Sequence, residues 1–177
     1  MRVTIGYNKQ KTIVHMYSQR KGWIEVNGIK PIDQLNRNRE TKLLQIWESG
    51  VNETHSFLSS SDIEQIRPDV LLGIRSVEHL LCFYKNSQVV GFIGVDNKKI
   101  EMLFIDSAVM GEGIGKKLLS YAVETLHATV VDVNEQNTHA VQFYKHMGFK
   151  QIHRSEHDDR GRPFPILTMK MASSIIS

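Results

Sequence analysis

The chain has 177 residues, 41% of them hydrophobic, and a net charge of +3, enough for one well-buried core and too little for two full domains. No apolar run approaches the ~20 residues of a membrane span, the first 28 residues lack the apolar stretch of a signal peptide, and a lone cysteine, Cys82, excludes an internal disulfide and a cysteine-rich metal site. Met1 to Lys30 carry six basic residues and one acid, an excess of five that leaves Pro31 to Ser177 at −2, so the basicity sits in a tail and argues against nucleic-acid binding by the core. The expectation is a soluble, cytoplasmic protein.

Residues 1–28 show scattered charge and no sustained period, and read as a basic N-terminal extension with a short hairpin around Gly22 to Gly28. The folded domain, 29–172, opens with Ile29, Pro31 and Ile32 as a strand. Asn36 or Asn38 then caps a helix with Leu43, Leu44, Trp47 and Val51 along one stripe. Ser59 to Ser61 with Asp62 start a second helix, Glu64 lying close enough to serve its first-turn donors. Ile66, Val70 and Leu71 continue it, and Pro68 calls for a place in about its first turn. Leu80 to Tyr84 and Gln88 to Val95 are strands joined at Asn86 and Ser87, with Cys82 as a buried thiol in the first. Asn97 and Lys98 turn the chain into an apolar strand, Ile100 to Ile105. This breaks at Asp106 and Ser107 and re-emerges as a helix carrying Ile114, Leu118, Leu119, Ala122 and Leu126. Thr129 to Val133, β-branched and apolar, is a central strand. A helix from Thr138 to His146 ends at Gly148, a C-cap. Strands Phe149 to Arg154 and Ile166 to Met171 close the domain, and residues 173–177 are a tail. No internal repeat is evident.

The chemistry is concentrated between Ile100 and Leu119. Gly111, Gly113 and Gly115 remove three β-carbons within five residues, so the backbone can take positive φ and let a ligand approach its amides. Those amides open a helix, where unpaired N–H groups and the positive end of the macrodipole suit a pyrophosphate. A Walker A loop is excluded because Gly111 and Gly115 are four apart and Lys116 is followed by Lys117. A dinucleotide fingerprint is excluded because the pattern is G-x-G-x-G, with no ribose-binding acid at the expected distance.

The stretch resembles motif A of the GNAT superfamily of acyl-CoA-dependent N-acyltransferases, in which Arg or Gln precedes two spaced glycines. Gly113 and Gly115 fit those glycines, and Met110 stands where Arg or Gln is usual. A second motif agrees in spacing and type: Asn137, Ala140, Phe143, Tyr144, Gly148 and Phe149 match N-x-x-A-x-x-F-Y-x-x-x-G-F. The segments WESGVNETHSFL and DDRGRPFP are similar to those of a poorly characterised bacterial subgroup. The resemblance spans about Ile29 to Met171 and implies an α/β (α+β) GNAT fold, a mixed sheet of about seven strands splayed at its centre with flanking helices.

The resemblance also implies site residues. Leu103, Phe104 and Ile105 would pair with the pantetheine arm of acetyl-CoA, a bulge near Met102 or Leu103 would aim an N–H at the thioester oxygen, and Gly111, Glu112, Gly113, Ile114, Gly115 and Lys116 would hold the pyrophosphate. Asn137 would contact the coenzyme arm, or cap the helix that follows it, or both. Tyr144 would protonate the departing thiolate, its ordinary pKa of roughly 10 keeping it protonated until then; its alternative is a place in the core stripe of Ala140, Phe143 and Met147. Glu101 and Asp132, acids inside apolar strands, are the two candidate bases. His55 and His79 are candidates without motif support, whereas His139, His146, His153 and His157 read as surface. The mechanism needs no metal.

The function implied is transfer of the acetyl group of acetyl-CoA to a primary amine of a small molecule or protein, with a homodimer reasonable by resemblance. The alternative is a catalytically degenerate domain that binds acyl-CoA as a sensor or scaffold, which Met110 keeps open.

Overall fold

The computed structural model describes residues 27–32 and 34–172; apart from Asn27 and Gly28, the basic extension with its expected hairpin lies outside the described residues, as does the tail from 173 onward. Turn chemistry and continuous apolar runs build the first half of the sheet. Strand β1 (Gly28–Pro31) precedes two helices, α1 (Arg37–Thr54) and α2 (Ser60–Ser76), and strands β2 (His79–Lys85), β3 (Gln88–Asp96) and β4 (Lys99–Ile105) follow as a meander. Both of its turns are two-residue links with positive φ throughout, Asn86 and Ser87 at 50° and 62° and Asn97 and Lys98 at 47° and 64°, the twist that suits a tight hairpin. The second half contains α3 (Ile114–Thr125), β5 (Val130–Asn134), α4 (Thr138–His146), β6 (Phe149–Ser155) and β7 (Ile166–Met171). The seven strands lie in the order β1-β2-β3-β4-β5-β7-β6, antiparallel except where β4 meets β5.

Both faces of this sheet are covered. Leu43, Ile46, Trp47 and Val51 of α1 and Ile63 and Ile74 of α2 pack on Cys82 and Phe92. Ile114, Leu118, Leu119 and Ala122 of α3 with Val141 and Tyr144 of α4 pack on Leu81, Ile93, Val131 and Met169 from the other side. Neighbours such as Leu81 and Cys82, or Phe92 and Ile93, therefore serve opposite layers, which is why these strands read as continuous apolar runs. Cys82 is fully buried, and burial pushes its thiol up to about 12.

Asn36 is the cap of α1, its side chain accepting from the Arg39 amide at 3.0 Å. Two expectations for α2 are corrected. The acid that completes its capping box is Asp62 and not Glu64: Asp62 Oδ2 accepts from the Ser59 amide at 2.8 Å and Ser59 Oγ from the Asp62 amide at 3.2 Å, because only the third helical position reaches back to the cap. Pro68 lies in the interior of α2 and not in its first turn. Its ring leaves the Glu64 carbonyl without a helical donor; the capping box and the burial of Ile63 and Ile74 on either side hold the helix across it.

Two irregularities at the middle of the sheet shape the site. Strands β4 and β5 pair only at Lys99 with Val130 and Ile100 with Val131, and beyond Ile100 they part. On its other edge β4 carries a bulge: Val95 faces Ile100 and Gly94 faces Met102, so Glu101 is the extra residue. The bulge resets the alternation, with Ile100 and Leu103 in the α3–α4 layer and Met102 and Phe104 in the α1–α2 layer.

Candidate active site

A cleft of about 700 Å³ occupies the gap between the diverging strands, lined by residues 100–105 of β4, residues 131–134 of β5, the glycine loop and α4. The loop reaches it through a one-turn 3₁₀ segment, Ser107–Val109, capped by Asp106. Gly111 and Gly113 both take positive φ, 83° and 77°, so the chain reverses into α3 without a side-chain cap. The amide of Glu112 is used within the turn, donating to the Val109 carbonyl. Among the described residues, no hydrogen bond uses the amides of Gly111, Gly113, Ile114, Gly115 or Lys116, which leaves five donors at the positive end of a helix. Together with the edge of β4 that β5 abandons, they form a backbone surface suited to an anionic group on an extended, amide-bearing arm.

Of the loop residues expected to hold the pyrophosphate, Glu112 is the one that does not line the cleft. Its carboxylate reaches back to Lys85 Nζ at 2.6 Å, beside the β2–β3 turn. Met110 does line the cleft, so a thioether occupies the place of the polar side chain usual in the motif. Opposite, Gly50 of α1 lets that helix lie directly on β4: a β-carbon there would stand 3.1 Å from the Ile105 carbonyl oxygen.

Tyr144 lines the cleft from α4 and is 6% exposed. Its ring meets the edges of Phe143 and Phe149 at centroid distances of 5.2 and 5.6 Å. It thus takes its place in the core stripe and still presents to the cleft a hydroxyl that no described residue hydrogen-bonds. Burial raises its phenol well above the usual range, so it stays protonated at neutral pH.

Asn137 caps α4, its Oδ1 accepting from the Ala140 amide at 3.0 Å. Its other end is also engaged, with Nδ2 lying 3.3 Å from His55 Nε2. His55 ends α1 and packs on Phe57; burial lowers its pKa, partly offset by its bond to the Val51 backbone. The splay of the sheet is what permits this contact, since α1 and α4 cover opposite faces and meet only through the gap.

The two acids share one cation. Lys99 Nζ stands 2.9 Å from Asp132 Oδ2 and 3.3 Å from Glu101 Oε2. Burial opposes the lysine's charge, but the two carboxylates outweigh it and raise its pKa. Asp132 Oδ1 is enclosed with no hydrogen-bond partner among the described residues, and Asp132 lines the cleft. Glu101 lies on the border with a second cavity of about 510 Å³, enclosed by α1, α2 and the β6–β7 loop. This cavity carries Trp47, Phe57 and Phe164 and the acids Asp69, Asp96, Asp158 and Asp159. Arg160 and Arg162 reach Asp69 at 2.9 and 3.4 Å, and Arg162 reaches Asp158 at 2.6 Å, fastening the loop to α2.

The cleft therefore gathers Tyr144, Glu101, Asp132, Asn137, Leu103, Phe104, Ile105 and the glycine loop save for Glu112. His79 is outside both cavities and faces Glu78, and His139, His146, His153 and His157 are exposed, the first two at the cleft rim. Sequence reasoning missed the standing of His55 and Lys99, which depends on partners 82 and 33 positions away. Among the described residues no group of three or more His, Cys, Asp or Glu side chains is placed to hold a metal ion, and no helix is long and apolar enough to cross a membrane.

Comparison with known families agrees with this geometry. The acetyltransferase (GNAT) domain family matches residues 48–173. The chain belongs to this family. A curated GNAT relative, peptidyl-lysine N-acetyltransferase YjaB of Salmonella typhimurium, is 40% identical over 72% of this chain and 88% of its own. The solution structure of Escherichia coli YjaB superposes with a TM-score of 0.74 at 33% identity, covering 84% of this chain and 99% of that one. An N-acetyltransferase from Thermoplasma acidophilum in complex with coenzyme A shares the GNAT fold, with a TM-score of 0.58 at 20% identity over 80% of this chain and 98% of that one. This protein is thus an acetyl-CoA-dependent N-acetyltransferase of GNAT fold, the seven-stranded mixed sheet and four helices agreeing with the expectation.

Proposed function

We propose that this protein transfers the acetyl group of acetyl-CoA to the ε-amine of a lysine in a protein substrate. The observation that carries the reading is the junction of two cavities at the splay, one furnished with five free amides and Tyr144, the other with acids and aromatic rings. The names of the YjaB relatives support lysine as acceptor, and so does the second cavity: rings flank a long aliphatic stem, and carboxylates attract the ammonium at its end.

In this reading the amides of Gly111 to Lys116, without Glu112, hold the pyrophosphate, and Leu103, Phe104 and Ile105 pair with the amide-bearing arm through their open backbone edge. The bulge at Glu101 turns one β4 amide toward the thioester oxygen, where a preorganised donor stabilises developing negative charge. Asn137 braces α4 beside that arm. Tyr144 gives its proton to the departing thiolate. Glu101 and Asp132, anchored by Lys99, draw the ammonium group toward the junction.

Thiol release by purified protein supplied with acetyl-CoA and a blocked peptide carrying one lysine tests this, with mass spectrometry locating the acetyl group. Tyr144→Phe is expected to lower kcat by roughly 10² or more while coenzyme A affinity changes less than about twofold. Acetylation confined to small amines would overturn the protein-lysine reading, and coenzyme binding without turnover of any amine would favour the sensor reading that Met110 suggests.

A further inference from the structure

His55 is the one imidazole among the described residues that lines both cavities. Its hydrogen bonds admit a single tautomer. Thr54 Oγ1 lies 2.7 Å from the Gly50 carbonyl oxygen, which can only accept, so the hydroxyl hydrogen points there. The same oxygen lies 2.7 Å from His55 Nδ1 and is left to accept, so Nδ1 carries the ring hydrogen. Across the gap, Asn137 Oδ1 is committed to the Ala140 amide, which presents the Asn137 amide hydrogens to His55 Nε2. Nε2 is thus the unprotonated nitrogen, aimed into the junction. Among the described residues its only partner is a neutral donor at 3.3 Å, at the long end of hydrogen-bond range.

We infer that His55 Nε2 is the group that takes the proton from the acceptor ammonium, with Thr54 as the positioning residue that fixes its tautomer. The inference rests on the acetyl transfer proposed above. An ammonium N–H is a stronger, charge-assisted donor than an amide and displaces Asn137 from Nε2. The N–H bond breaks, its electron pair stays on the amine nitrogen, and the proton forms a new bond to Nε2. The freed pair forms the bond to the thioester carbonyl carbon as the carbon–sulfur bond breaks, and the sulfur leaves with that bond's electrons. The amine's second proton replaces the one that Tyr144 gives to sulfur, and the imidazolium returns its own to water, so one proton is released per acetyl group. On the imidazolium, Nδ1–H keeps its bond to Thr54, whose hydroxyl still donates to Gly50, and Asn137 has to turn away because two donors then face each other.

The acids across the cavities are less suited to the step. Glu101 and Asp132 share Lys99, and Asp69 and Asp158 share Arg162. Asp96 and Asp159 complete the acids of the second cavity, and Lys116, His139 and His146 border the coenzyme cleft. None of these is hydrogen-bonded to His55, and desolvation holds the ring neutral through the neutral range.

Two measurements test the inference. In wild-type protein labelled with ¹⁵N, ring spectra at neutral pH are expected to show the Nδ1–H tautomer, mixed with the other in Thr54→Val; a predominant Nε2–H tautomer in the wild type overturns the proposal whether or not a substrate is in hand. With acetyl-CoA and the single-lysine peptide, His55→Gln is expected to lower kcat by roughly 10² with coenzyme affinity unchanged. It should also abolish the fall in kcat/KM expected of the wild type as pH drops into the range below the ordinary imidazole value, where burial places the titration of His55. Thr54→Val should cost about tenfold in kcat with KM preserved. If His55→Gln keeps wild-type kcat and the same pH limb while Tyr144→Phe is impaired, the role of His55 is overturned and acetyl transfer stands. If wild-type protein fails to bind coenzyme A, acetyl transfer falls first and the role of His55 falls with it.

Discussion

The two sides of the splay are built from different materials. On the side of the glycine loop, the groups proposed to act are, besides Tyr144, main-chain amides and the open edge of β4, placed by three closely spaced glycines, one parallel strand pair that stops early and a left-handed residue at a helix start. On the side of the second cavity they are side chains from α1, α2 and the β6–β7 loop, held by ion pairs such as those of Asp69 with Arg160 and Arg162. A backbone site tolerates change in most side chains and is sensitive to conformation. A side-chain site tolerates little change in identity but can be remade for another acceptor without moving the coenzyme. One fold can therefore keep a donor and vary its acceptors.

That contrast can be broken in three ways. The largest effect is expected at Trp47, fully enclosed under the second cavity: Trp47→Ala should cost about 3–5 kcal/mol and lower the melting temperature by about 10 °C, and a loss below about 1 kcal/mol would show that the α1–α2 wall is not anchored there. Gly113→Ala is next. A β-carbon at Gly113 meets nothing within 4 Å, so the whole penalty is the left-handed conformation, roughly 1–2 kcal/mol. Coenzyme A affinity by calorimetry is expected to fall about tenfold with KM for the lysine peptide unchanged; equal weakening of both would erase the distinction between the sides. Asp69→Asn is the mildest. It frees Arg160 and leaves Arg162 held by Asp158, and KM for the peptide should rise two- to fivefold at unchanged coenzyme affinity, with a stability loss under about 1 kcal/mol.

The same division explains what could be read from the sequence. Elements fixed by local signals were legible: the two-residue turns at Asn86 and Asn97, the α1 cap as one of Asn36 and Asn38, of which the structure uses Asn36, the bounds of α4 from Thr138 to His146 and the donors between Gly111 and Lys116. Where tertiary packing overrode a local rule, the reading failed, as at Pro68 inside α2. Glu112 was counted with its neighbours because spacing does not say which way a loop side chain turns, and Lys85 turns it outward. The acids Glu101 and Asp132 stood out as polar residues in apolar strands, but their common cation did not, because Lys99 is an ordinary turn-adjacent lysine until β4 and β5 are laid side by side. His55 was a candidate without motif support, since its setting depends on an asparagine from the opposite layer.

Among the described residues, β4 and β5 pair at only two positions, with one more backbone bond from the Thr129 amide to the Lys98 carbonyl just before them. Whatever fills the gap then supplies the rungs that the protein omits, and acts as a beam between two wedges as well as a reactant. Loading should stiffen the whole sheet and raise resistance to unfolding by the free energy of binding, with hydrogen exchange slowing first at Leu103, Phe104 and Ile105. Release of the spent carrier should relax it again, so that each catalytic cycle is also a cycle of mechanical tightening and slackening.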